Sequence, residues 1–196
     1  MALYRQLVLG SLVALLVNGC APDLGVSLSV PSVPDPDKVV VDQSRSSTVK
    51  VRVGRFTDSR KSSTLAVIDG RQIPSEGDLG VVVQEGLVNY LRRAGIRIAV
   101  LQAPQIEGEI VEWKAKVSPD FPTSSASATA RIKVLVRGVD SEVSYRATFA
   151  GEASMSHPAL RATHVRELLA QAMGSALEEV VNDPAVVQHL SGGAPR

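Results

Sequence analysis

The segment ATARIKVLVRGVDSEVSYRATFAG, residues 128–151, constrains the fold more strongly than any other part of the sequence. Apolar and polar residues alternate on both sides of Asp140 and Ser141, which is the period-two pattern of two half-buried strands joined by a turn. With those two residues as the turn, three apolar pairs face each other: Val136 with Tyr145, Val134 with Ala147, and Ile132 with Phe149. Because a slip of one residue would break all three pairs, the pattern predicts one antiparallel hairpin in this register.

Two segments have the 3.6-residue apolar period of amphipathic helices. The first follows Asp78, ends at Gly95 and carries an apolar stripe made of Leu79, Val82, Val83, Leu87, Tyr90 and Leu91. The second runs from about residue 162 to residue 182. Asp183 and the proline after it are typical of a helix cap and a first helical residue, which predicts a short final helix through Leu190.

The remaining apolar segments are typical of strands. VKVRVGRF alternates apolar and basic residues, IRIAV is short, and EIVEWKAKV places four apolar residues on one face: Val111, Trp113, Ala115 and Val117. Gly108 breaks the alternation of this third strand, which indicates a bulge or an earlier start with reversed facing. The stretch from Thr57 to Gly77 is predicted to be a long loop, and loops of this length are commonly functional or disordered.

The predicted element order, β, α, β, β, β, β, α, α, defines the fold class. It gives an α+β, two-layer sandwich in which a mainly antiparallel sheet carries two amphipathic helices packed on one face. With 44% hydrophobic residues, the chain can fill one core. We therefore predict one domain, covering residues 49–190.

The beginning of the chain has the pattern of an export signal. Arg5 precedes an apolar run from Leu7 to Val17, which has the length of a signal-peptide core and is too short for a span of about 20 apolar residues. The single cysteine, Cys20, follows directly in VNGC. This tetrapeptide resembles the lipobox of bacterial lipoproteins, which implies that residues 1–19 are cleaved off and that Cys20 is lipidated. The alternative is an ordinary export signal with an incidental cysteine, an unpaired thiol in an oxidising compartment.

Residues 20–48 are predicted to be the lipidated cysteine and a Pro/Ser-rich tether. Such a composition favours extended chain, which could reach up to roughly 90 Å at about 3.3 Å per residue. Within the tether, VSLSV alternates apolar residues with serine, so this part could instead pair with a sheet edge. Ala21 rather than aspartate follows the cysteine, and by resemblance to lipoprotein sorting signals this implies an outer-membrane anchor facing the periplasm. Residues 191–196 are predicted to be a disordered tail.

The charge of the mature chain bears on its partners. Cleavage before Cys20 would remove one base and no acid, so the 21 bases of the chain become 20 against 20 acids. Binding to nucleic acid needs a net basic footprint. We therefore expect no nucleic-acid partner, and contact with the membrane through the N-terminal lipid.

The order of these features resembles the YajG-like family of bacterial lipoproteins. The shared features are the lipobox, a proline-containing tether, a first strand that ends in Asp-x-Arg (Asp58 and Arg60), a helix before AGI, a long hairpin, and a final helix with a short apolar tail. The resemblance covers the whole mature chain. It implies a location and a fold, and it carries over no activity, because the family has no settled one.

Motifs of catalytic or metal-binding chemistry are missing from the sequence. His157, His164 and His189 have no metal-ligand spacing and no cysteine nearby, so solvated surface histidines are the expected interpretation. There is no G-x-S-x-G elbow, phosphate-binding glycine loop or EF-hand pattern. We predict that the protein is not an enzyme and uses no cofactor or metal. A hydrolase with dispersed Ser, His and Asp residues is the alternative.

A basic surface emerges when the two faces of the strands are separated. Opposite the apolar face, with Glu112 as the clearest acid among them, the strands carry Lys50, Arg52, Arg97, Lys114, Lys116, Arg131, Lys133, Arg137 and Arg146. Such a face could attract lipid A phosphates, an anionic glycan or an acidic protein patch. Alternatively, these long side chains shield a wet sheet and discourage edge-to-edge association.

Asp58 and Arg60 begin the predicted loop, which also contains Arg71. Asp58 is expected to accept backbone N–H groups and to pair locally with Arg60 or Lys61, which would order the loop; the alternative is a recognition surface. The candidate binding residues are Lys50, Arg52, Asp58, Arg60, Arg71, Arg131, Lys133, Arg137 and Arg146.

Two functions are compatible with these observations. The first is a lipid-anchored, non-enzymatic periplasmic binding or envelope-assembly lipoprotein that contacts an anionic envelope component, such as a glycan or glycolipid, and whose binding weakens with salt. The second is an accessory lipoprotein subunit of a transporter or outer-membrane assembly complex. The second function predicts a protein complex that survives mild detergent.

Overall fold

The computed structural model describes residues 49–68, 70–118 and 122–192. Its elements are β1 (Lys50–Asp58), β2 (Thr64–Ile68), β3 (Arg71–Pro74), α1 (Leu79–Arg93), β4 (Arg97–Ile98), β5 (Gln105–Ser118), β6 (Ser124–Arg137), β7 (Val143–His157), α2 (Ala162–Asn182) and α3 (Pro184–Leu190). The predictions for the signal peptide, Cys20, the tether and the tail beyond Gly192 lie outside the described residues.

The strands form a main sheet and a separate small hairpin. The main sheet has five strands in the order β4, β1, β5, β6, β7, and β2 pairs with β3. β5, β6 and β7 are antiparallel, whereas β1 is parallel to both of its neighbours. A parallel pair needs a crossover connection, and α1 lies in the connection between β1 and β4. The predicted α+β class is confirmed, with a sheet that is mixed at β1.

β6 and β7 form the predicted hairpin in the predicted register. The three apolar pairs are present: Val136 with Tyr145, Val134 with Ala147, and Ile132 with Phe149. Burial of one face fixes this register, because a slip would expose its whole apolar set. The turn is longer than predicted, since the register shifts at Arg137 and residues 138–142 connect the strands, with Ser141 at a φ of 69°.

The helix ends match their sequence signals. Asp78 caps α1, because its Oδ1 accepts a hydrogen bond from the N–H of Gly80 at 2.9 Å. Gly95 follows α1 with a φ of 77°, the left-handed conformation that ends many helices. α2 has the predicted bounds, and at the start of α3 the Oδ1 atom of Asp183 accepts from the N–H of Ala185 at 2.7 Å.

Both long helices cover the same face of the main sheet, and the core lies between these two layers. Trp113 of β5 is 1% exposed, and its indole N–H donates to the carbonyl of Leu169 in the middle of α2 at 3.0 Å. This bond satisfies the polar group of a buried aromatic residue and fixes the position of α2 on β5. Burial of each large apolar side chain contributes about 1.5–3 kcal/mol.

α3 packs at the end of the main sheet where β7 begins. The hydroxyl of Tyr145 donates to the carboxylate of Asp183 at 3.3 Å, and its ring stacks on His189 with the centroids 5.1 Å apart. Burial raises the pKa of Tyr145, and the nearby Asp183 carboxylate raises it further. The prediction that His189 is a solvated surface residue is therefore wrong, because its ring packs against Tyr145.

β5 contains a bulge at Val111, whereas the sequence pattern indicated an irregularity at Gly108. The register with β6 shifts between Ile110 and Glu112, so Val111 is the extra residue and is 42% exposed. The prediction that Val111 shares the apolar face with Trp113 is wrong. Gly108 did indicate an earlier start with reversed facing, and the reversal occurs at Val111, three residues further along the strand.

The stretch from Thr57 to Gly77 is not a loop throughout, because residues 64–68 and 71–74 pair as the hairpin of β2 and β3. Leu65 and Ile73 are buried in the core, and this tertiary packing stabilises strands that would be marginal alone. Gly70 has a φ of 75° in the turn. The Asp-Gly pair before Arg71 is a common hairpin signal, but strands of five and four residues are too short for a clear period.

Candidate functional site

One face of the main sheet is not covered by α1 or α2. We call it the open face. The strand residues that point to it are exposed or half-buried, while their strand neighbours point into the core. Its polar members include Lys50, Arg52, Arg97, Gln105, Glu107, Glu109, Glu112, Lys114, Lys116, Arg131, Lys133, Arg137, Arg146 and Glu152.

Acids interrupt the positive charge of the open face. The bulge at Val111 reverses the facing of β5, so Glu107 and Glu109 join Glu112 there. Each acid pairs with a base on β6: Glu107 with Arg137 at 2.6 Å, Glu109 with Lys133 at 3.6 Å, and Glu112 with Arg131 at 3.6 Å. The prediction of an almost uniformly basic face is therefore wrong along β5 and β6, where opposite charges face each other across the strands.

Glu112 makes a second ion pair, with Lys114 at 2.5 Å. The hydrogen bond from Lys114 lowers the pKa of Glu112 below its ordinary 4.5, and the positive charges of Lys114 and Arg131 contribute to the shift. The side chains of Lys114 and Arg131 are 65% and 50% exposed. Pairs with this much contact to water contribute less than about 1 kcal/mol each, so they set the charge pattern more than the stability.

A chain of hydrogen bonds crosses three strands near the start of β5. Nη2 of Arg52 donates to Oε1 of Gln105, and Nε2 of Gln105 donates to Oε2 of Glu107 at 2.9 Å. From the other side, Nε of Arg137 donates to Oε1 of Glu107 at 2.6 Å, and its Nη1 donates to the carbonyl of Ser141 at 3.3 Å. This chain holds two of the predicted binding residues, Arg52 and Arg137, in fixed positions.

Some bases of the open face have no acid partner within the described residues: Lys50, Arg97, Lys116 and Arg146. Lys50 and Arg97 are register neighbours on β1 and β4, so two like charges lie side by side. Arg146 lies opposite Leu135, two residues along β6 from Arg137. Like charges on adjacent strands repel each other, and a bound anion would relieve this repulsion.

Asp58 and Arg60 form a structural pair where β1 ends. Nε and Nη2 of Arg60 each donate to the Asp58 carboxylate at 2.9 Å, and the guanidinium also donates to the carbonyl of Trp113 at 3.2 Å and to the hydroxyl of Ser75 at 3.3 Å. The hydrogen bond from Arg60 holds the pKa of Asp58 below its ordinary 3.8. The predicted local pairing is confirmed. The Arg60 side chain is 4% exposed, which leaves little of it for a ligand.

The structure groups only part of the predicted binding set. Lys50, Arg52, Arg137 and Arg146 lie in the half of the open face where β1 begins, and Arg131 with Lys133 lies further along β6. Asp58 and Arg60 lie at the far end of β1, and Arg71 begins β3, outside the main sheet. A binding role for these residues stays a prediction.

Sequence reasoning missed the groups that organise this site, namely Gln105, Glu107 and Glu109. The signal was present in QIEGEI, where Ile106, Gly108 and Ile110 alternate with the polar residues. Strict alternation counted backwards from Trp113 would place these three residues on the core face, and the bulge at Val111 reverses that facing.

His157 and His164 contact each other at the connection between β7 and α2. Their ring centroids are 4.5 Å apart. The N–H of Ala159 donates to Nδ1 of His157 at 3.0 Å, and the N–H of Arg161 donates to Nδ1 of His164 at 3.2 Å. These contacts order the connection. His157 is exposed, as the sequence predicted, whereas His164 is half-buried.

Over the described ranges, no group of three or more His, Cys, Asp and Glu residues is arranged to hold a metal ion. In the same part of the chain, no helix combines the length and the apolar character that a membrane crossing requires.

Solved structures include proteins with a similar fold. A Xanthomonas campestris protein of the family DUF330 has a TM-score of 0.58 and 13% identity, covering 85% of this chain and 97% of its own. This similarity shows the fold alone. A minor lipoprotein of Acinetobacter baumannii has a TM-score of 0.38 and 8% identity, covering 73% of this chain and 90% of its own. Lipoprotein GNA1162 of Neisseria meningitidis has a TM-score of 0.34 and 10% identity, covering 74% of this chain and 99% of its own.

The sequence comparisons assign a family. No curated protein matches the chain significantly. The model of a family described as "Uncharacterized lipoprotein" matches residues 34–191, from the predicted tether to the residue after α3. Because this match spans most of the chain, the protein belongs to this lipoprotein family, in agreement with the predicted resemblance to YajG-like lipoproteins.

Proposed function

We propose that the protein is a non-enzymatic lipoprotein, anchored in the outer membrane through Cys20 and facing the periplasm, that binds an anionic envelope component on its open face. Its family supports an anchored envelope protein. The cysteine, the outer membrane and the ligand class rest on this chain's own residues, namely VNGC followed by Ala21 and the bases of the open face.

One observation carries the proposal. After the acids of β5 have paired with β6, Lys50, Arg97 and Arg146 remain without an acid partner in the described residues, in the same half of the open face as Arg52 and Arg137. Guanidinium groups bind phosphate and carboxylate groups through paired N–H donors. Positions fixed before binding reduce the entropy lost on binding.

The shielding interpretation accounts for part of the same charge. Arg97 and Arg146 lie on the two edge strands of the main sheet, where bases discourage association of edges. It does not account for Arg52 and Arg137, which lie on inner strands and are held by the hydrogen bonds through Gln105 and Glu107. This ordered inner pair favours a binding surface.

Arg146→Glu should weaken binding to a soluble anionic glycan, with de-acylated lipopolysaccharide as the probe. Arg146 makes no ion pair in the described residues, so its reversal changes the charge of the open face without breaking a contact within the fold. We expect an affinity loss of about tenfold, equivalent to about 1.4 kcal/mol, and weaker binding of the wild type at higher salt. Calorimetric titration measures both effects.

Arg161→Glu is the matched control, because Arg161 is an exposed base just before α2 and lies outside the main sheet. We expect it to bind like the wild type. Equal losses for both variants would indicate a nonspecific charge effect, and an unchanged affinity for Arg146→Glu would favour shielding over binding.

A second candidate function, an accessory subunit of a transporter or outer-membrane assembly complex, is favoured by β7. This strand is 15 residues long and lies at the edge of the main sheet. Only part of that edge is capped, where the N–H of Ala150 donates to Glu179 of α2 at 3.1 Å. An exposed strand edge can pair with a strand of another protein. Crosslinked pull-down from envelopes separates the candidates, since such a complex would survive high salt and mild detergent.

Cys20→Ser should abolish lipidation of the chain. Serine cannot form the thioether through which a lipobox cysteine carries its lipid, and we expect the precursor to incorporate no labelled fatty acid. Metabolic labelling measures this directly, with Ser11→Ala in the predicted signal peptide as a control that keeps the cysteine. Label in the Cys20→Ser protein would contradict the anchoring mechanism.

A further inference from the structure

Two connections leave the end of the main sheet at which β1 begins. Residues 99–104, which we call the apolar loop, lead from β4 into β5, and residues 138–142 lead from β6 into β7. Gln105 lies between Arg52 of β1 and Arg137 of β6, and Arg137 lies opposite Val143. The two connections therefore emerge from adjacent strands at the same end.

Apolar side chains are exposed on both connections. Val100 and Leu101 are 86% and 75% exposed, the two highest values among the large apolar side chains of the described residues. Val139 is 67% exposed, and Val143 directly after the turn is 43% exposed. The apolar loop, AVLQAP, contains no charged residue. Apolar side chains gathered at one place on a surface indicate a contact site more than scattered ones do.

Backbone hydrogen bonds fix both ends of the apolar loop to β1. The N–H of Ala99 donates to the carbonyl of Val51 and the N–H of Arg52 donates to the carbonyl of Pro104, both at 2.8 Å. Gln102 lies between these two bonds and has a φ of 52°. This is the left-handed backbone conformation found in tight turns. The loop is thus short, tied at both ends, and presents Val100 and Leu101 to the outside.

The charge next to the apolar loop is positive. Lys50 and Arg97 are register neighbours there and have no acid partner in the residues that the structure describes. The turn between β6 and β7 is less suited to an anionic surface, because Asp140 directly follows the exposed Val139 and Glu142 directly precedes Val143. The apolar loop with Lys50 and Arg97 therefore has the composition of a segment that binds at an anionic lipid interface.

The N-terminal segment joins the domain at this same end. Val49 precedes Lys50, which pairs with Arg97 beside the apolar loop. The tether predicted between Cys20 and Val49, with an extended length of up to roughly 90 Å, is long enough to let this end reach the bilayer.

We propose that the end of the domain formed by the apolar loop, Lys50 and Arg97 docks on the surface of the bilayer that holds the N-terminal lipid. Val100 and Leu101 insert among the headgroups, and the two bases contact lipid phosphates. The open face then stands on the membrane, with Arg146 further from the lipid than Lys50. The docking rests on the proposed lipid anchor and uses Lys50 and Arg97 of the open face, but it does not depend on which ligand binds near Arg146.

Site-specific labelling tests the docking in the lipidated full-length mature protein reconstituted in vesicles that contain anionic phospholipid. An environment-sensitive fluorophore is attached at Leu101→Cys, with Val100→Cys as a second position in case the first variant folds poorly. The control label is at Val81→Cys, on the first turn of α1, where the native side chain is 47% exposed. Brominated lipids should quench the labels in the apolar loop at least about threefold more strongly than the control label.

Two further outcomes test the chemistry of the docking. Lys50→Glu with Arg97→Glu should reduce the quenching at residue 101, as should vesicles without anionic lipid. Equal, weak quenching at residues 101 and 81 would overturn the proposal. An emission shift at residue 101 that appears only at high protein density, without quenching by brominated lipid, would assign the loop to contact with a second copy and would also overturn it. Neither result would affect the binding measured with Arg146→Glu.

Discussion

Gly151→Ala is expected to destabilise the domain by about 3 kcal/mol, the upper range for overpacking a tight core. Gly151 lies in the middle of β7 on the face covered by α2. A Cβ atom at this position would overlap the carbonyl oxygen of Ala172 and the backbone nitrogen of Ala176, and would lie 3.0 Å from the Cβ of Ser175. Backbone atoms cannot rotate aside, so α2 would have to move away from the sheet. Urea unfolding of both proteins measures the loss.

The matched control for this prediction is Ala150→Ser, one residue earlier on the same strand. Ala150 is exposed on the open face, so the added hydroxyl meets solvent and should change the free energy of unfolding by less than about 0.5 kcal/mol. If Gly151→Ala were as stable as the control, the close approach of α2 to β7 would be wrong.

The sequence predicted the register of β6 and β7, but it did not predict how closely α2 approaches β7 at Gly151. A period-two pattern tells which residues of a strand face the core, and the apolar pairs then fix the partner strand. It does not tell which helix residue lies above a given strand residue. Gly151 and the alanines of α2 form a complementary surface that exists only in the folded chain, as does the bond from Trp113 to the carbonyl of Leu169.

The helix ends could be predicted from the sequence because the signals that set them are local. Caps such as Asp78 and Asp183 act within three residues, so their effect is visible in the sequence. The bulge of β5 is different, because a single extra residue at Val111 reverses every side chain before it. That reversal hid Glu107 and Glu109, and the candidate site was therefore predicted with its bases and with Glu112 as its clearest acid, but without the acids that pair with Lys133 and Arg137.

Arg60→Ala is the second prediction with a large expected effect, a loss of about 3 kcal/mol in the free energy of unfolding. The substitution removes four hydrogen bonds at once, two to Asp58 and one each to the carbonyl of Trp113 and the hydroxyl of Ser75. The Arg60 side chain is 4% exposed, and losing one partner of such a network leaves the other groups without their bonds. Lys61→Ala, which removes an exposed base next to it, should cost less than about 0.5 kcal/mol.

The loss caused by Arg60→Ala should depend on pH. The hydrogen bond from Arg60 holds the pKa of Asp58 in the folded protein below its ordinary 3.8. The stability gained from the ionised carboxylate is therefore fully present above pH 3.8 and is lost as the pH falls through the lowered pKa. The difference between wild type and Arg60→Ala should be largest near neutral pH and shrink in acid. A difference that does not change with pH would show that Asp58 contributes nothing to it.

Hydrogen exchange shows where the loss of Arg60 acts. Ser75 follows β3, and Trp113 belongs to β5, so the guanidinium joins the small hairpin to the main sheet. Without it, the backbone amides of β2 and β3 should exchange faster, while those of β6 and β7 keep their protection relative to global unfolding. Arg60→Lys should restore little, because one ammonium group cannot make the paired bonds to Asp58 and still reach both other acceptors. Full rescue by lysine would mean that charge alone, rather than the fork of N–H donors, holds the hairpin in place.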